Sequence, residues 1–256
     1  MNEAYYNGKA WDEEARRGNY WTLPASDEDV EAAKGGDLKV RLTPKAFVKE
    51  SWIKGCKGKR VLLLASGGGQ QTVLFAAYGA KVTSIDASSE QIKRDQEGLE
   101  KHSLDGIAMV GDMRDLGALE DNSFDFVFIP HSINFISDLS PLYEGMDRTL
   151  KKGGHFLFGV ANPVLYLFDE KKEERGKLKV KYTIPFSDER SRSRKEVEKM
   201  IREKDTFESS HTLSSILSPL FEKGYVLTDF YSDSSLNDLV DSYIHDSFLA
   251  FNFLKS

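Results

Sequence analysis

The sequence predicts an α/β fold built on a doubly wound, mostly parallel β-sheet. Short apolar runs without polar alternation, typical of strands buried on both faces, recur along the chain from residues 61–65 onward. Helical segments with one apolar side separate most of these runs, which is the pattern of βαβ units. A run of three glycines, Gly67–Gly69, joins the first strand to the helix that follows it.

The strands and helices of this core follow one another in order from residue 59. The predicted strands cover residues 61–65, 81–85, 107–110, 124–129, 155–160, 225–231 and 248–254. The predicted helices cover residues 71–78, 88–101, 139–150 and 213–223. The last two strands have no long helix between them, so we expect an antiparallel hairpin at one edge of the sheet.

The segments outside the core are predicted to lie over it. Before residue 59, Ser26 caps a predicted helix that stops at Gly35, and a second helix is expected from Thr43 to about Gly55. After residue 162 the chain carries long charge runs, which ordinarily form a solvated surface and here also suit an inserted cap. Within the cap, residues 178–186 alternate as a strand would. We therefore expect a helical lid segment (1–58), a core (59–162), an inserted cap (163–210) and the C-terminal part of the core sheet (211–256).

The composition restricts the partners of the protein. Its 256 residues carry a formal net charge of −6, whereas general nucleic-acid binders are usually basic, so no nucleic-acid partner is expected. No apolar run approaches the roughly 18 residues that a membrane helix needs, so no membrane partner is expected either. The first residues show no secretory pattern, and the single cysteine, Cys56, excludes an internal disulfide. We expect a cytoplasmic protein without a metal site, since no His/Cys cluster has metal-ligand spacing.

The glycine-rich turn carries most of the functional signal. Glycines permit a tight turn and a close approach of a ligand to the main chain. Asp86 ends the second strand, which lies beside the first in a doubly wound sheet, so its carboxylate is placed to accept hydrogen bonds from both hydroxyls of a ribose. The turn and the acid together predict a nucleoside cofactor, although a glycine turn alone would serve only to tighten the joint between strand and helix.

The spacing of the glycines separates the possible cofactors. In the dinucleotide fingerprint G-x-G-x-x-G, read from Gly67, the third glycine position holds Thr72. A phosphate-binding P-loop would need a Gly-Lys-Ser/Thr run, which the turn lacks. A dinucleotide is therefore disfavoured, but it is not excluded by this pattern.

The stretch from Val61 to Gln71 resembles motif I of the class I S-adenosylmethionine-dependent methyltransferases. Its Ala-Ser-Gly-Gly-Gly-Gln-Gln turn resembles a bacterial subgroup of the small-molecule type. The stretches 111–113, 123–127 and 150–154 resemble the family's adenine-binding motif, fourth strand and turn before strand five, and the resemblance spans about residues 19–168. It implies a Rossmann-like sheet of seven strands with the last antiparallel, and S-adenosyl-L-methionine as the cofactor.

The resemblance also implies where the cofactor binds. Asp86 would hold the ribose, and Asp112 would accept from the adenine amino group. The implied cofactor-binding residues are Ala65, Ser66, Gly67, Gly68, Gly69, Gln70, Asp86, Ala87, Gln91, Gly111, Asp112, Met113, Pro130 and His131. The chain departs from the family at Leu63, where an acid usually helps to hold the methionine amino group, and at Ala65, where the first glycine is usual.

Residues after the fourth strand are candidates for the chemistry. His131 is the candidate general base, because an unperturbed imidazole titrates near neutrality, although it would equally serve as packing beside the cofactor. Trp11, Tyr20 and Trp21 are candidates to fold over the cofactor as a lid, since aromatic faces suit a sulfonium cation, although ordinary burial would equally account for them. The candidate substrate-binding residues are Trp21, Asn134, Asn162 and His211.

These observations predict transfer of a methyl group from S-adenosylmethionine to an unidentified small molecule. Such a transfer depends mainly on holding the two reactants aligned, so the absence of an obvious catalytic motif does not argue against it. Two alternatives stay open: an NAD-type oxidoreductase, and a module that binds S-adenosylmethionine without catalysis, which the departure at Leu63 keeps in view.

Overall fold

The computed structural model describes residues 2–256 and contains one seven-stranded sheet. Its strands are β1 (Arg60–Leu64), β2 (Lys81–Asp86), β3 (Gly106–Val110), β4 (Phe124–Ile129), β5 (Leu150–Ala161), β6 (Tyr225–Asp233) and β7 (Phe248–Lys255). The strand order is β3-β2-β1-β4-β5-β7-β6, and β7 runs antiparallel to both β5 and β6. The doubly wound sheet of seven strands and the antiparallel pair at one edge are therefore confirmed.

Helices cover both faces of the sheet. They are α1 (Glu3–Arg17), α2 (Asp27–Lys34), α3 (Glu50–Ile53), α4 (Gln71–Tyr78), α5 (Ser89–Lys101), α6 (Ser140–Thr149), α7 (Glu170–Glu173), α8 (Asp188–Ser191), α9 (Arg194–Glu203), α10 (Leu213–Glu222) and α11 (Asp238–Asp241). None of the helices in the described residues is long and apolar enough to cross a membrane.

The unbroken apolar run of β1 serves two cores at once. Side chains alternate between the faces of a strand, so Val61 and Leu63 pack with α2, α3 and α4 on one face. Leu62 and Leu64 pack with α6 and α10 on the other. This is why the strand shows no polar alternation: it has no solvated face.

The glycine turn after β1 is held by a buried carboxylate on α5. Asp95 accepts hydrogen bonds from the hydroxyls of Ser66 (3.0 Å), Thr72 (2.7 Å) and Ser84 (2.8 Å). It also accepts from the backbone N–H of Gly69. One side chain thus connects the turn, the start of α4, the middle of β2 and α5.

Helix α1, which the sequence did not predict, lies across the carboxyl edge of the sheet. Asp12 accepts from the Ser88 hydroxyl (2.8 Å) and the Glu90 N–H (3.0 Å), so α1 caps the first turn of α5. Gly8 lies so close to the Ala87 carbonyl that a Cβ would overlap it. These contacts make α1 a fixed cover over the end of β2.

Three sequence expectations are corrected. The helix expected from Thr43 spans only Glu50–Ile53, because the N–H groups of Lys45 and Ala46 donate to Asp233 instead of to helical partners. Residues 178–186, expected to form a strand, instead contribute only Val180 to an isolated bridge with Phe168 among the described residues. No neighbouring strand extends that bridge.

The third correction concerns the start of β5. The strand begins at Leu150 and includes the expected turn at 152–154 as an irregularity, because Phe124 pairs with Leu150 and Phe126 with His155. The extra residues bulge out of register, with Gly153 at φ +76°.

Replacing Asp95 tests the network that holds the turn. Asp95→Ala would leave four donors without their buried acceptor, so we expect the free energy of unfolding to fall by about 2–4 kcal/mol. Urea denaturation followed by circular dichroism measures this change. Asp105→Ala is the matched control, since Asp105 is exposed in the loop before β3. Equal losses in the two variants would show that Asp95 does not hold the turn.

Candidate functional site

A cavity of about 850 Å³ lies at the carboxyl ends of β1, β2 and β4. The turn after β1, the end of β2 and residues 130–136 form its floor, and α1 with residues 19–25 and 39–43 covers it. The aromatic residues expected to form a lid, Trp11, Tyr20 and Trp21, all line it. The predicted site residues that line it are Trp21, Ala65, Gly67, Gln70, Asp86, Ala87, Gln91, Asp112, Met113, Pro130 and His131.

Three residues of the turn face away from this cavity. The Ser66 hydroxyl lies against Ser84 and Asp95. A Cβ on Gly68 would overlap the Gln91 side chain, and one on Gly69 would lie 3.2 Å from the Arg94 carbonyl oxygen. Both glycines have positive φ, so they let α5 pack closely against the turn while Gly67 (φ +80°) faces the cavity.

The other predicted residues outside the cavity make backbone or side-chain contacts elsewhere, although the buried side-chain amide of Asn134 has no partner among the described residues. Gly111 donates its N–H to the Asp86 carbonyl (2.9 Å). Asn162 caps the short 3₁₀ helix Pro163–Leu167 and donates to the Asp246 carbonyl (2.9 Å). His211 Nε2 lies 2.9 Å from the Ile136 carbonyl oxygen, and the carbonyl of buried Asn134 accepts from Ser209 (2.7 Å).

Asp86 is a buried acid on the cavity wall. Its Oδ1 accepts the Ser88 N–H at 2.8 Å. Burial, and next the nearby carboxylate of Asp95, raise the pKa of Asp86 to about 7. An ionised Asp86 therefore destabilises the fold unless a hydrogen-bond donor enters the cavity.

Asp112 reaches the cavity as part of an ion-pair chain. The Arg114 guanidinium donates to it from Nε (3.0 Å) and Nη2 (2.7 Å), and Arg114 Nη1 pairs with Glu3 at 3.0 Å. The chain ties α1 to the loop after β3. It also orients the Asp112 carboxylate on the wall.

Four buried polar atoms on residues of the wall have no partner within residues 2–256 as described. They are Thr43 Oγ1, Gln71 Oε1, Gln91 Oε1 and His131 Nε2. Buried polar groups in folded proteins are almost always paired. Since the residues that carry these atoms line the cavity, the unpaired atoms favour a polar ligand there.

His131 stands at the boundary of a second cavity. Its ring packs edge-on against Phe248, with 4.7 Å between the ring centroids. Burial lowers the pKa of His131 to about 4, so the imidazole is neutral at neutral pH. In the tautomer protonated at Nδ1, the unpartnered Nε2 carries a lone pair.

The second cavity, of about 460 Å³, lies between this boundary and the cap. Residues that line both cavities are His131, Asp205, Thr206, Glu208 and Phe248. The two cavities therefore adjoin, with the side chains of this shared wall between them. On that wall the Tyr166 hydroxyl donates to Glu208 at 2.6 Å.

Sequence reasoning missed Asp95, the capping Asp12 and the Glu208–Tyr166 pair. Asp95 lies on a polar helix of ordinary appearance, and its partners are 11 to 29 residues away. Glu208 lies 42 residues from Tyr166, within a charge run that suits a solvated surface equally well. A glycine within the first turns of α1, Gly8, was the one local sign of close packing there.

Comparison with known proteins supports one family. Residues 62–158 match the family model of a methyltransferase domain. The chain is 37% identical over 240 residues to the uncharacterized methyltransferase YbaJ of Bacillus subtilis, and the match covers 94% of each protein. It is 29% identical over 175 residues to a demethylmenaquinone methyltransferase of Staphylococcus epidermidis, covering 66% of this chain and 68% of that one.

The fold is also found among solved structures. The geranyl diphosphate C-methyltransferase of Streptomyces coelicolor, solved with S-adenosyl-L-homocysteine, superposes with a TM-score of 0.55 at 15% identity. The match covers 91% of this chain and all of that one. At this identity the likeness extends to the fold alone.

The raised pKa of Asp86 predicts that replacing this acid with a neutral residue stabilises the protein, and does so more at high pH. Ionisation of Asp86 is penalised in the folded chain, so stability falls as pH rises from the unfolded pKa near 4 through about 7. We expect Asp86→Asn to stabilise the ligand-free protein by on the order of 1–3 kcal/mol at pH 8 and by less at pH 5. Urea denaturation at both pH values measures this, and a loss of stability at pH 8 would contradict it.

Proposed function

Since the chain belongs to the class I S-adenosylmethionine-dependent methyltransferases, we propose that it methylates a small molecule bound in the second cavity. The observation that carries this proposal is the pair of adjoining cavities, which share the wall formed by His131, Glu208 and Phe248. One cavity has the features of a nucleoside site, and the other adjoins it beneath the cap. Membership of the subgroup with the Ala65–Gln71 turn stays a prediction.

The first cavity suits the methyl donor, S-adenosylmethionine. Asp86 would accept from the ribose hydroxyls, and the adenine would lie by Asp112 and Met113. The unpartnered side-chain oxygen of Gln71, on the same wall, would provide a further acceptor. When bound, the donor supplies a methyl group on a sulfonium, whose C–S bond breaks with both electrons left on sulfur.

The amino-acid end of the donor requires a different acid from the family's usual one. Leu63 is fully buried in the core and does not line the cavity. We propose that Glu14 on α1 takes that role, because it lines the cavity beside Trp21. Asn19 donates to Glu14 at 2.6 Å and so holds its carboxylate in place.

His131 remains our candidate for contact with both reactants. Its neutral imidazole, with Nε2 unpartnered, is able to accept a hydrogen bond or a proton from the acceptor. Its low pKa means that it would hold a proton only weakly. It therefore suits orientation of the acceptor better than storage of the proton.

The charges on the cavity walls also indicate which kind of partner the protein binds. Acidic residues outnumber basic ones in both cavities, so a phosphate-rich nucleic acid would be repelled. We propose a small-molecule acceptor on this ground. A cytoplasmic location is proposed with it, since the single cysteine, Cys56, is buried and unpaired.

Binding of S-adenosylhomocysteine, with NADH as a parallel ligand, tests the proposed donor site. We expect isothermal titration calorimetry of the full chain to show binding of the homocysteine compound alone. Asp86→Asn should weaken it by about 1–3 kcal/mol, because the ribose hydroxyls lose a charged acceptor. The exposed Asp105→Asn is the matched control and should bind as the parent does.

Other outcomes would contradict the proposal in separate ways. Binding of NADH alone would favour the oxidoreductase. Binding of neither compound would remove the donor site. Unchanged affinity in Asp86→Asn would remove Asp86 from the site and leave the donor in place.

A further inference from the structure

The chemistry of the second cavity identifies the class of methyl acceptor. The cavity lies between the core and the cap, beside the donor cavity, at about 460 Å³. This volume is within the range of small-ligand sites. Most of the charged groups on its wall are acidic.

Five carboxylates and one guanidinium line this cavity. The carboxylates belong to Glu170, Glu173, Asp188, Asp205 and Glu208, and the guanidinium is that of Arg192. Arg192 pairs with both Glu170 and Asp188. Among the described residues, Glu173, Asp205 and Glu208 have no cationic partner, and His131 adds no charge at neutral pH because burial keeps its pKa near 4.

Aromatic rings form the rest of the wall. They belong to Tyr166, Phe168, Tyr182, Phe186 and Phe248. Cations of the protein already lie against these rings: the Lys181 Nζ is 4.6 Å from the Tyr182 centroid, and the Arg192 Cζ is 5.8 and 5.6 Å from the centroids of Tyr182 and Phe186. Rings and carboxylates together favour an organic cation over an anion.

One buried group on this wall indicates a missing ligand independently of the charge. The Tyr182 side chain is 9% exposed, and its hydroxyl has no hydrogen-bond partner among the described residues. A buried, unpaired hydroxyl is costly unless a ligand completes it. Since Tyr182 lines the second cavity, that ligand would lie there.

We infer that the second cavity binds a cationic amine with an apolar or aromatic body as the methyl acceptor, and that Glu208 takes the amine's proton. This inference rests on the methyl transfer proposed above. An anionic acceptor would meet several carboxylates and no free cation. A neutral alcohol would leave the excess negative charge uncompensated.

The proposed step balances in protons and electrons. The ammonium gives one N–H proton to the Glu208 carboxylate, and the freed nitrogen lone pair forms the new N–C bond with the methyl group. The C–S electron pair stays on sulfur, so the positive charge passes to the methylated amine. Burial raises the pKa of Glu208, which makes its carboxylate a better proton acceptor than an exposed glutamate.

Three probes of similar shape and different charge test the inference: 2-phenylethylamine, 2-phenylethanol and 3-phenylpropanoate. Each is titrated calorimetrically into the full chain saturated with S-adenosylhomocysteine. We expect the amine to bind at least about tenfold more tightly than the propanoate. Methyl transfer from S-adenosylmethionine to the amine is then followed by mass spectrometry.

Matched variants isolate Glu208 and Tyr182. Glu208→Gln should weaken amine binding by about tenfold, abolish methylation and leave alcohol binding unchanged. Glu189→Gln, an exposed glutamate of the cap outside the cavity, should match the parent. Tyr182→Phe should weaken amine binding, whereas the exposed Tyr243→Phe should not.

The outcomes separate this inference from the proposed function. Tighter binding of the propanoate, or binding of none of the probes while S-adenosylhomocysteine binds, would overturn the inference and leave the donor site standing. Equal amine affinity in Glu208→Gln and the parent would remove Glu208 from it. Failure of S-adenosylhomocysteine itself to bind would instead remove the proposed function.

Discussion

The carboxylate of Asp95 is the constraint on which the rest of the site depends. The three glycines of the turn have no side chains to hold its shape, and these positive-φ residues would be mobile alone. Asp95 supplies an acceptor for donors from the turn, β2 and α4 at one buried point. These hydrogen bonds to Asp95 fix the position of Gly67 beside the end of β2.

Helix α1 adds further contacts that fix the shape of the site. Asp12 caps α5 from outside, and Asn7 donates to the carbonyls of Phe135 and Phe207 at 3.0 Å each. The same helix therefore lines the first cavity and contacts the loop after β4 and the cap. This explains how one wall is shared by two cavities: α1 draws the segments on either side of it together.

The sequence was enough to predict the strands of the sheet, but not the contacts of the segments that cover it. Strand runs such as β4 are recognised because burial on both faces removes polar residues locally. The acid that ends β2 was equally visible, since its place relative to the glycine turn follows from chain order. Glu208 and Asp95 were invisible because their partners lie far away in sequence, and an acidic residue in a charge run looks the same whether solvated or buried. Asn162 and His211 had suitable chemistry in the sequence, but the backbone carbonyls of Asp246 and Ile136, both distant in sequence, occupy polar atoms of these side chains.

The strand order bears on how the protein is made. Strand β7 comes last in the chain yet lies between β5 and β6, pairing Phe158 with Phe251 on one side and Phe230 with Phe251 on the other. During synthesis the apolar edge of β5 must stay open until residues 248–255 leave the ribosome, about ninety residues later. A chain stalled before that point exposes a long unpaired edge of β5. Chaperones, rather than the folded sheet, would then have to protect that edge from aggregation.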